Sequence, residues 1–403
     1  MRKQRNTVMS RKWLEKWYSI MLPLFPLLIL YGFSVIPFLS LSDYLLLLLI
    51  FVEIISSKFK LVFEKSFVPL VFYLLFQPML LLLVPPKNFD FVDSAGTAWK
   101  LALYIFGISL LKKNLQKDIL LKSTRFVGTA STIYGFFQFF LGTYLHISLS
   151  PYFPLLPILR TGLKEQQDGW ISYGWTVRPR AWFSEPSTFA IFLLWTLIIE
   201  LFVVEKERRN KNLCFIYVFG IVISRSSTGI IGLIILLVAW TLLCPEEFLY
   251  KIPKKVLGGG ICLLPVCLIF LYKGGYIDSF ISHTFVNGQG LSAQSHFTDI
   301  GSAFRNNTGF WNIVIGNGMQ DVEAGYLPGW FRTYYCLGIV GVLLYISAFF
   351  KTFKHASRRL RVLVLVFVGL NFGTEIMLGV FILLFMSVIT LSQKGSEEIH
   401  GTT

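Results

Sequence analysis

Long apolar stretches separated by short polar segments make up most of this chain of 403 residues. Several stretches, such as those around Leu45–Ile50 and Leu80–Val84, last for about twenty residues, which is enough helix to cross a hydrocarbon core of roughly 30 Å. The pattern predicts about twelve transmembrane helices. They are expected near residues 18–36, 41–57, 66–84, 96–111, 125–145, 183–204, 212–224, 227–243, 256–272, 330–350, 362–375 and 376–392. No small-residue cleavage site follows the first stretch, so we expect a retained helix there.

The composition agrees with an all-α polytopic membrane protein. Hydrophobic residues make up 54% of the chain and charged residues 15%, a balance that excludes an ordinary water-soluble domain. The net charge of +15 is divided among short clusters, so we expect no nucleic-acid partner. The five cysteines and five histidines lack the spacing of metal ligands, and we therefore expect neither a metal nor a cofactor.

The distribution of positive charge predicts the orientation. Most of the 37 lysines and arginines fall in segments on one side of the predicted helices, which places both termini in the cytoplasm. On the opposite side, two long loops cover residues 146–181 and 273–329 of a single integral membrane domain. Long loops often carry function, and both contain Gly, Trp and Tyr among their charges, a mixture that suits sugar rings.

The end of the first external loop has the sequence Arg-Pro-Arg-Ala-Trp-Phe-Ser-Glu-Pro-Ser-Thr, residues 178–188. Two interpretations of it remain open. In the first, Ser184 caps the next helix, Pro186 occupies its first turn and Glu185 faces the positive end of its dipole. In the second, Glu185 lies near arginines at the edge of a low-dielectric region and acts as a general base or a sugar ligand.

Two predicted helices are too short for the membrane. The fourteen residues from Asn212 to Arg225 give about 20 Å of helix, so Arg225 should lie below the outer surface. A buried arginine is costly and usually faces a polar cavity or a partner, and its planar guanidinium can bind phosphate oxygens in pairs. The stretch Val362–Glu375 is equally short, so Asn371 and Glu375 should also lie below the outer surface. An Arg225–Glu375 ion pair that only holds the bundle together is the alternative.

Further arginines are predicted on the same external side. Arg305 precedes Gly316 with ten residues between them, and Arg332 begins a later helix. Together they form a cluster that could bind a diphosphate. Its members are Arg160, Arg178, Arg180, Arg225, Arg305 and Arg332.

With these motifs in this order, the chain resembles the O-antigen polymerase and ligase superfamily, specifically the Wzy-type polymerases of bacterial surface polysaccharides. The resemblance rests on residues 178–188, on Ser-Arg-Ser-Ser-Thr-Gly at 224–229, and on Ile315–Gly318 ahead of Gly338–Gly341. The spacing of Arg305 and Gly316 is similar to an arginine pattern of these polymerases, although the first loop does not repeat it. Ligases usually carry a histidine where this chain has Leu327–Gly329, which favours a polymerase.

The resemblance implies a metal-independent glycosyltransferase of the C type in the bacterial cytoplasmic membrane. Its substrates would be polyprenyl-diphosphate-linked oligosaccharides, and its partners the membrane lipid and a chain-length regulator and flippase of the same pathway. Arg225 and Arg305 would stabilise the diphosphate, with Glu185 as the base. The remaining site residues would bind substrate, namely Arg160, Arg178, Arg180, Arg332 and Glu375.

Two other functions stay open at this point. The first is a ligase-type transferase within the same superfamily. The second is a flippase or transporter of lipid-linked oligosaccharides, since many transporters also have about twelve helices. Such transporters commonly have halves related by an internal repeat, and the sequence shows no repeat of this kind.

Overall fold

The computed structural model describes residues 13–33, 39–57, 64–111, 114–152, 177–205, 208–244, 300–301, 309–319 and 327–389. All regular elements within these ranges are helices, which confirms the all-α class. The predicted span near residues 256–272 lies outside the described residues. Parts of both long loops also lie outside them, including Arg160 and Arg305.

The helices are α1 (13–21), α2 (Phe25–Leu28), α3 (Leu41–Ser56), α4 (Val68–Leu83), α5 (Phe91–Leu111), α6 (Lys117–Tyr144), α7 (Pro186–Ile198), α8 (Lys211–Ile223), α9 (Ser227–Leu243), α10 (Phe310–Ile315), α11 (Gly329–His355), α12 (Arg358–Leu370) and α13 (Val380–Ile389). A π-helical turn, Ile199–Val203, extends α7. The prediction of one helix over 18–36 is wrong in its bounds. The chain there starts new turns near Pro23 and Pro26, because proline favours the first turn of a helix, and α2 ends at Leu28.

Two described segments are long and apolar enough to cross a membrane, Pro186–Val203 and Gly329–His355. Four shorter helices are also apolar, namely α4, α8, α9 and α13. Large apolar side chains stand exposed on the outer faces of the bundle, for example Phe72 and Phe76 on α4 and Leu242 on α9. Soluble proteins seldom leave apolar surface of this extent uncovered.

The core of the bundle is centred on α7, whose residues from Phe189 to Ile198 are all buried. Small residues let neighbouring helices approach it closely. A Cβ added to Gly220 of α8 would lie 2.5 Å from Leu193, and one added to Gly229 of α9 would lie 2.6 Å from Ala190. A Cβ on Gly232 would contact both Leu194 and Leu370. The first two turns of α9 therefore pack against the second and third turns of α7 and against the end of α12.

Helix α11 reverses direction at Gly338, which has a φ of 65°. The ring centroids of Trp330 and Phe349 lie 6.2 Å apart. A straight helix would separate two residues with these positions by about 28 Å along its axis. Residues 329–337 and 339–355 are therefore two helical arms that fold back on one another.

The reversal packs against the end of α10 in an arrangement that we call the glycine junction, formed by residues 314–318 and 335–338. A Cβ on Gly316 would lie 2.2 Å from the Cys336 carbonyl oxygen, and one on Gly338 would lie 2.3 Å from that of Val314. A side chain at either position would collide with these carbonyl groups. Both residues also have a positive φ, which glycine adopts readily, so only glycine fits at these positions. The backbone amide of Asn317 donates to the Tyr335 carbonyl at 2.9 Å, and that of Gly318 to the Cys336 carbonyl at 3.0 Å.

Candidate functional site

The corner between the first long loop and α7 is fixed by Gln138 of α6. Its Oε1 accepts hydrogen bonds from the backbone amides of Arg180 at 3.2 Å and Ala181 at 2.8 Å. Ala181 has a φ of 48°, and the ring of Trp182 stacks on Tyr134 with centroids 4.7 Å apart. The sequence immediately before α7 therefore has a defined path.

Arg180 lies inside this corner with only 5% of its surface exposed. Its guanidinium donates to the Ser184 carbonyl at 2.6 Å and to the Tyr152 hydroxyl at 3.3 Å, and its Cζ lies 5.4 Å from the centre of the Tyr152 ring. These contacts hold the corner together. The predicted contribution of Arg180 to substrate binding remains a prediction, and so does that of the half-buried Arg178.

Glu185 occupies the position before the first residue of α7. The prediction that Ser184 caps this helix is wrong, because α7 begins at Pro186 and its N-cap residue is Glu185. The Ser184 hydroxyl instead lies 3.1 Å from that of Thr188. The exposed Glu185 carboxylate accepts a hydrogen bond from the Ser187 hydroxyl at 2.9 Å. Glu185 is therefore open to solvent at the positive end of a helix dipole.

Arg225 lies in the tight connection between α8 and α9. Helix α8 has 13 residues, which is about 20 Å of helix and agrees with the short span expected from the sequence. The φ of Arg225 is 52°, a left-handed conformation that a side chain seldom adopts without a local requirement. Its neighbours Ser224 and Ser226 are buried, and the Ser226 hydroxyl caps α9 through the amide of Gly229 at 3.3 Å.

Glu375 forms an ion pair with Arg332 of α11. The side chains of these two residues are 40% and 22% exposed, respectively. The sequence raised an ion pair between Glu375 and Arg225, whereas the partner that the structure shows for Glu375 is Arg332. The cause is the reversal of α11, because its first arm runs alongside the segment that bears Glu375.

Residues 371–379 form a tip between α12 and α13, in which Asn371, Thr374, Ile376 and Met377 are buried. Asn371 is fully buried, and its Oδ1 accepts the amide of Met377 at 2.8 Å. The backbone of α11 continues this network. The Gly329 amide donates to the Thr374 carbonyl at 2.7 Å, and the Trp330 amide to that of Asn371 at 3.1 Å. Helix α12 has 13 residues, so the tip begins about 20 Å from the start of the helix.

The structure places several of the predicted site residues at one end of the bundle. Glu185 precedes α7, Arg225 precedes α9, and Glu375 follows α12. The first two turns of α9 contact both α7 and the end of α12 through Gly229 and Gly232. This end carries both charge signs, since Arg332 also lies there against Glu375.

No family model of known proteins matches this chain, and no curated protein matches it either.

Two residues of α4, Tyr73 and Gln77, bind the glycine junction, and the sequence pattern predicted neither contact. The Tyr73 hydroxyl lies 2.9 Å from the Ile315 carbonyl oxygen and 2.7 Å from that of Leu337. The Gln77 amide nitrogen donates to the Ile315 and Cys336 carbonyls, each at 3.0 Å. These bonds satisfy carbonyl groups that the breaks in α10 and α11 leave without helical partners. A glutamine inside the apolar run of α4 is the signal that could have revealed the junction.

A second cluster of charges lies at the opposite end of the bundle. Arg125 of α6 donates through Nε and Nη2 to the two carboxylate oxygens of Glu200, at 2.9 and 2.7 Å. Glu200 is 1% exposed and also accepts the amide of Asn210 at 2.7 Å. The carboxylate thus joins α6, the π-helical turn and the connection to α8.

Among the described residues, no group of three His, Cys, Asp or Glu side chains is arranged to hold a metal ion.

Proposed function

We propose that this chain polymerises polyprenyl-diphosphate-linked oligosaccharide repeat units into a surface polysaccharide at the external face of the bacterial cytoplasmic membrane. The observation that carries the proposal is the grouping of Arg225, Arg332 and Glu375 at one end of the bundle, where α8 and α12, each about 20 Å long, come to an end. A diphosphate on a lipid carrier lies at the membrane surface, where short helices would leave room for it.

The membrane location is supported by the apolar segment Pro186–Val203, by the shorter apolar helices α4, α8, α9 and α13, and by the exposed apolar faces of α4 and α9. The architecture that we propose has about twelve transmembrane helices, two large external loops and both termini in the cytoplasm, in the manner of C-type glycosyltransferases. Contacts between distant segments join residues that the charge distribution assigns to one side. Gln116 donates to Glu15 at 2.9 Å and Arg208 lies 3.5 Å from Asp118, and all four are predicted cytoplasmic.

In the proposed reaction, the diphosphate is the leaving group. Arg225 and Arg305 neutralise the negative charge that develops on it, and Arg332, Arg178 and Arg180 add to the positive potential. This charge stabilisation replaces a metal ion. A carboxylate removes the proton of the acceptor hydroxyl, and the growing chain moves onto the incoming repeat unit.

The test is to replace Arg225 or Arg305 by alanine in cells and with purified protein. We expect R225A and R305A each to lower the polymerisation rate by about 100-fold or more, because each removes a group that stabilises the leaving diphosphate. The product ladder formed from defined lipid-linked repeat units measures the rate. R208A is the matched control, since Arg208 is 66% exposed and predicted to be cytoplasmic.

Normal polymer ladders from both variants would refute the assignment. The cell-surface product separates the two alternative functions. Cells without a polymerase still display single repeat units, cells without a flippase display none, and cells without a ligase retain long polymer on the lipid carrier.

A further inference from the structure

The ion pair between Arg332 and Glu375 links two elements that meet only in the folded bundle. Arg332 lies on the first arm of α11, and Glu375 lies in the tip, immediately before the 3-10 turn Ile376–Leu378. With 22% and 40% of their surfaces exposed, both side chains can be reached from outside. A partly exposed pair of this kind contributes little stability, so a stronger anion can separate it at low cost.

We propose that Glu375 is the general base of the polymerisation. Arg332 holds its carboxylate until the diphosphate of the substrate takes the place of that carboxylate on Arg332. This inference rests on the proposed function and deepens it, because it identifies the base and explains when it becomes active. The ion pair then has two states, with Arg332 bound either to Glu375 or to the substrate.

The competition favours the diphosphate for two reasons. A diphosphate carries more negative charge than a carboxylate, and its oxygens match the paired donors of a guanidinium. Arg225 at the same end of the bundle adds a second cation that attracts the diphosphate. Once Arg332 turns to the diphosphate, the Glu375 carboxylate loses its positive partner. The carboxylate is then open to the acceptor hydroxyl.

The chemical step then balances. The acceptor hydroxyl gives its proton to the freed Glu375 carboxylate, and its oxygen forms a bond to the anomeric carbon of the donor. The bond between that carbon and the diphosphate oxygen breaks, and its electron pair leaves with the polyprenyl diphosphate. Arg332 stabilises the negative charge of that leaving group. Neither an oxidant nor a further reactant is required.

Glu185 is less suited to this role. It lies at the N-terminus of α7, where the helix dipole favours the charged carboxylate, and its oxygen accepts the Ser187 hydroxyl at 2.9 Å. Both contacts come from α7 itself and not from a group that the substrate attracts. The partner of Glu375, by contrast, is itself a group that the substrate attracts.

The surroundings keep Glu375 in place when its partner leaves. Asn371 accepts the amide of Met377 at 2.8 Å, and the Thr374 carbonyl accepts the amide of Gly329 at 2.7 Å. These bonds come from backbone groups on both sides of Glu375 and do not involve its carboxylate. The tip therefore stays folded without the ion pair.

The experiment compares wild type, E375Q and R332A of the full chain in detergent. Calorimetric titration measures the affinity for inorganic pyrophosphate, and turnover is measured with a lipid-linked repeat unit. We expect E375Q to bind pyrophosphate about threefold more tightly, because the competing carboxylate is gone, and to lower kcat by about 100-fold or more, because the base is gone. R332A should weaken pyrophosphate binding about tenfold.

D118N is the matched control, because Asp118 is a 76% exposed carboxylate in a weak pair at the opposite end of the bundle, and both measurements should equal those of wild type. Tighter binding shows that E375Q is folded, so its loss of turnover cannot be attributed to unfolding. If the wild type is active and E375Q has the same kcat or the same pyrophosphate affinity, the inference is overturned while the proposed function stands. A wild type that binds pyrophosphate without forming polymer would overturn the proposed function.

Discussion

The ion pairs at the two ends of the bundle differ in how far water reaches them. Glu200 is buried and receives three hydrogen bonds, whereas Glu375 is 40% exposed at the end that carries Arg225. A buried carboxylate with fixed donors is costly to disturb, and an exposed one is available for exchange. The two pairs should therefore respond differently to substitution.

We expect E200Q to destabilise the protein by about 3 kcal/mol, because it leaves Arg125 without its charge partner in a buried site. It also weakens the bond that orders the connection after α7 through Asn210. The thermal unfolding midpoint of the detergent-solubilised protein, followed by tryptophan fluorescence, measures the loss.

E205Q is the matched control for this substitution. Glu205 pairs with Lys117 at 3.3 Å, but the two side chains are 58% and 46% exposed, so the change should be below about 1 kcal/mol. Equal midpoints for E200Q and E205Q would contradict the structural role of the buried pair.

At this scale the sequence indicated which charges are unusual but not which of them meet. Arg225 and Glu375 could be predicted at the ends of short helices, because the length of a helix follows directly from its number of residues. The partner of Glu375 depends on the path of α11, and the partner of Arg125 on the turn after α7. Neither path can be derived from local pattern.

Among the elements, α11 departs most from a regular helix. Gly338 combines a φ of 65° and a ψ of −170°, a backbone conformation that only glycine adopts readily. We expect G338A to destabilise the protein by about 1–3 kcal/mol from the backbone alone. The added Cβ would also lie 2.3 Å from the Val314 carbonyl oxygen and force α10 away from the junction. The yield of monodisperse protein and its unfolding midpoint test this.

G373A provides the comparison, because a Cβ on Gly373 has no atom within 4 Å. It should behave as wild type in both measurements. A G338A variant as stable as G373A would show that α11 can continue without the reversal at this position.

The elements that the sequence predicted well are those with one apolar run between polar ends, such as α3, α4 and α9. The reversal of α11 was missed because its residues are apolar on both sides of Gly338, so hydropathy shows one continuous stretch. Tyr73 and Gln77 bind carbonyl groups more than two hundred positions away in the chain. Contacts of this range follow from tertiary packing and not from periodicity.

For the whole molecule, sidedness can be tested directly. Contacts between remote segments join residues that the charge distribution assigns to one side, as in the bond of 3.0 Å from the Met319 amide to the Ser94 hydroxyl. We expect a membrane-impermeant maleimide to label K87C in intact cells and K354C only after permeabilisation. Both positions are exposed.

The native cysteines are the background for this labelling. Cys244 and Cys336 are buried and Cys214 is half-buried, and the parent protein, measured in parallel, gives their contribution. Labelling of K354C in intact cells would reverse the proposed orientation and move the arginine end to the cytoplasm.

The fold-back of α11 also affects how membrane crossings are counted. Its first arm begins against the tip at Thr374 and has only nine residues before Gly338, about 13 Å of helix. An arm of that length is too short to cross a hydrocarbon core of roughly 30 Å, and the second arm runs back alongside it, past Trp330. Residues 329–355 are therefore not one straight crossing of 27 residues, and a count of crossings taken from hydropathy has to treat the two arms separately.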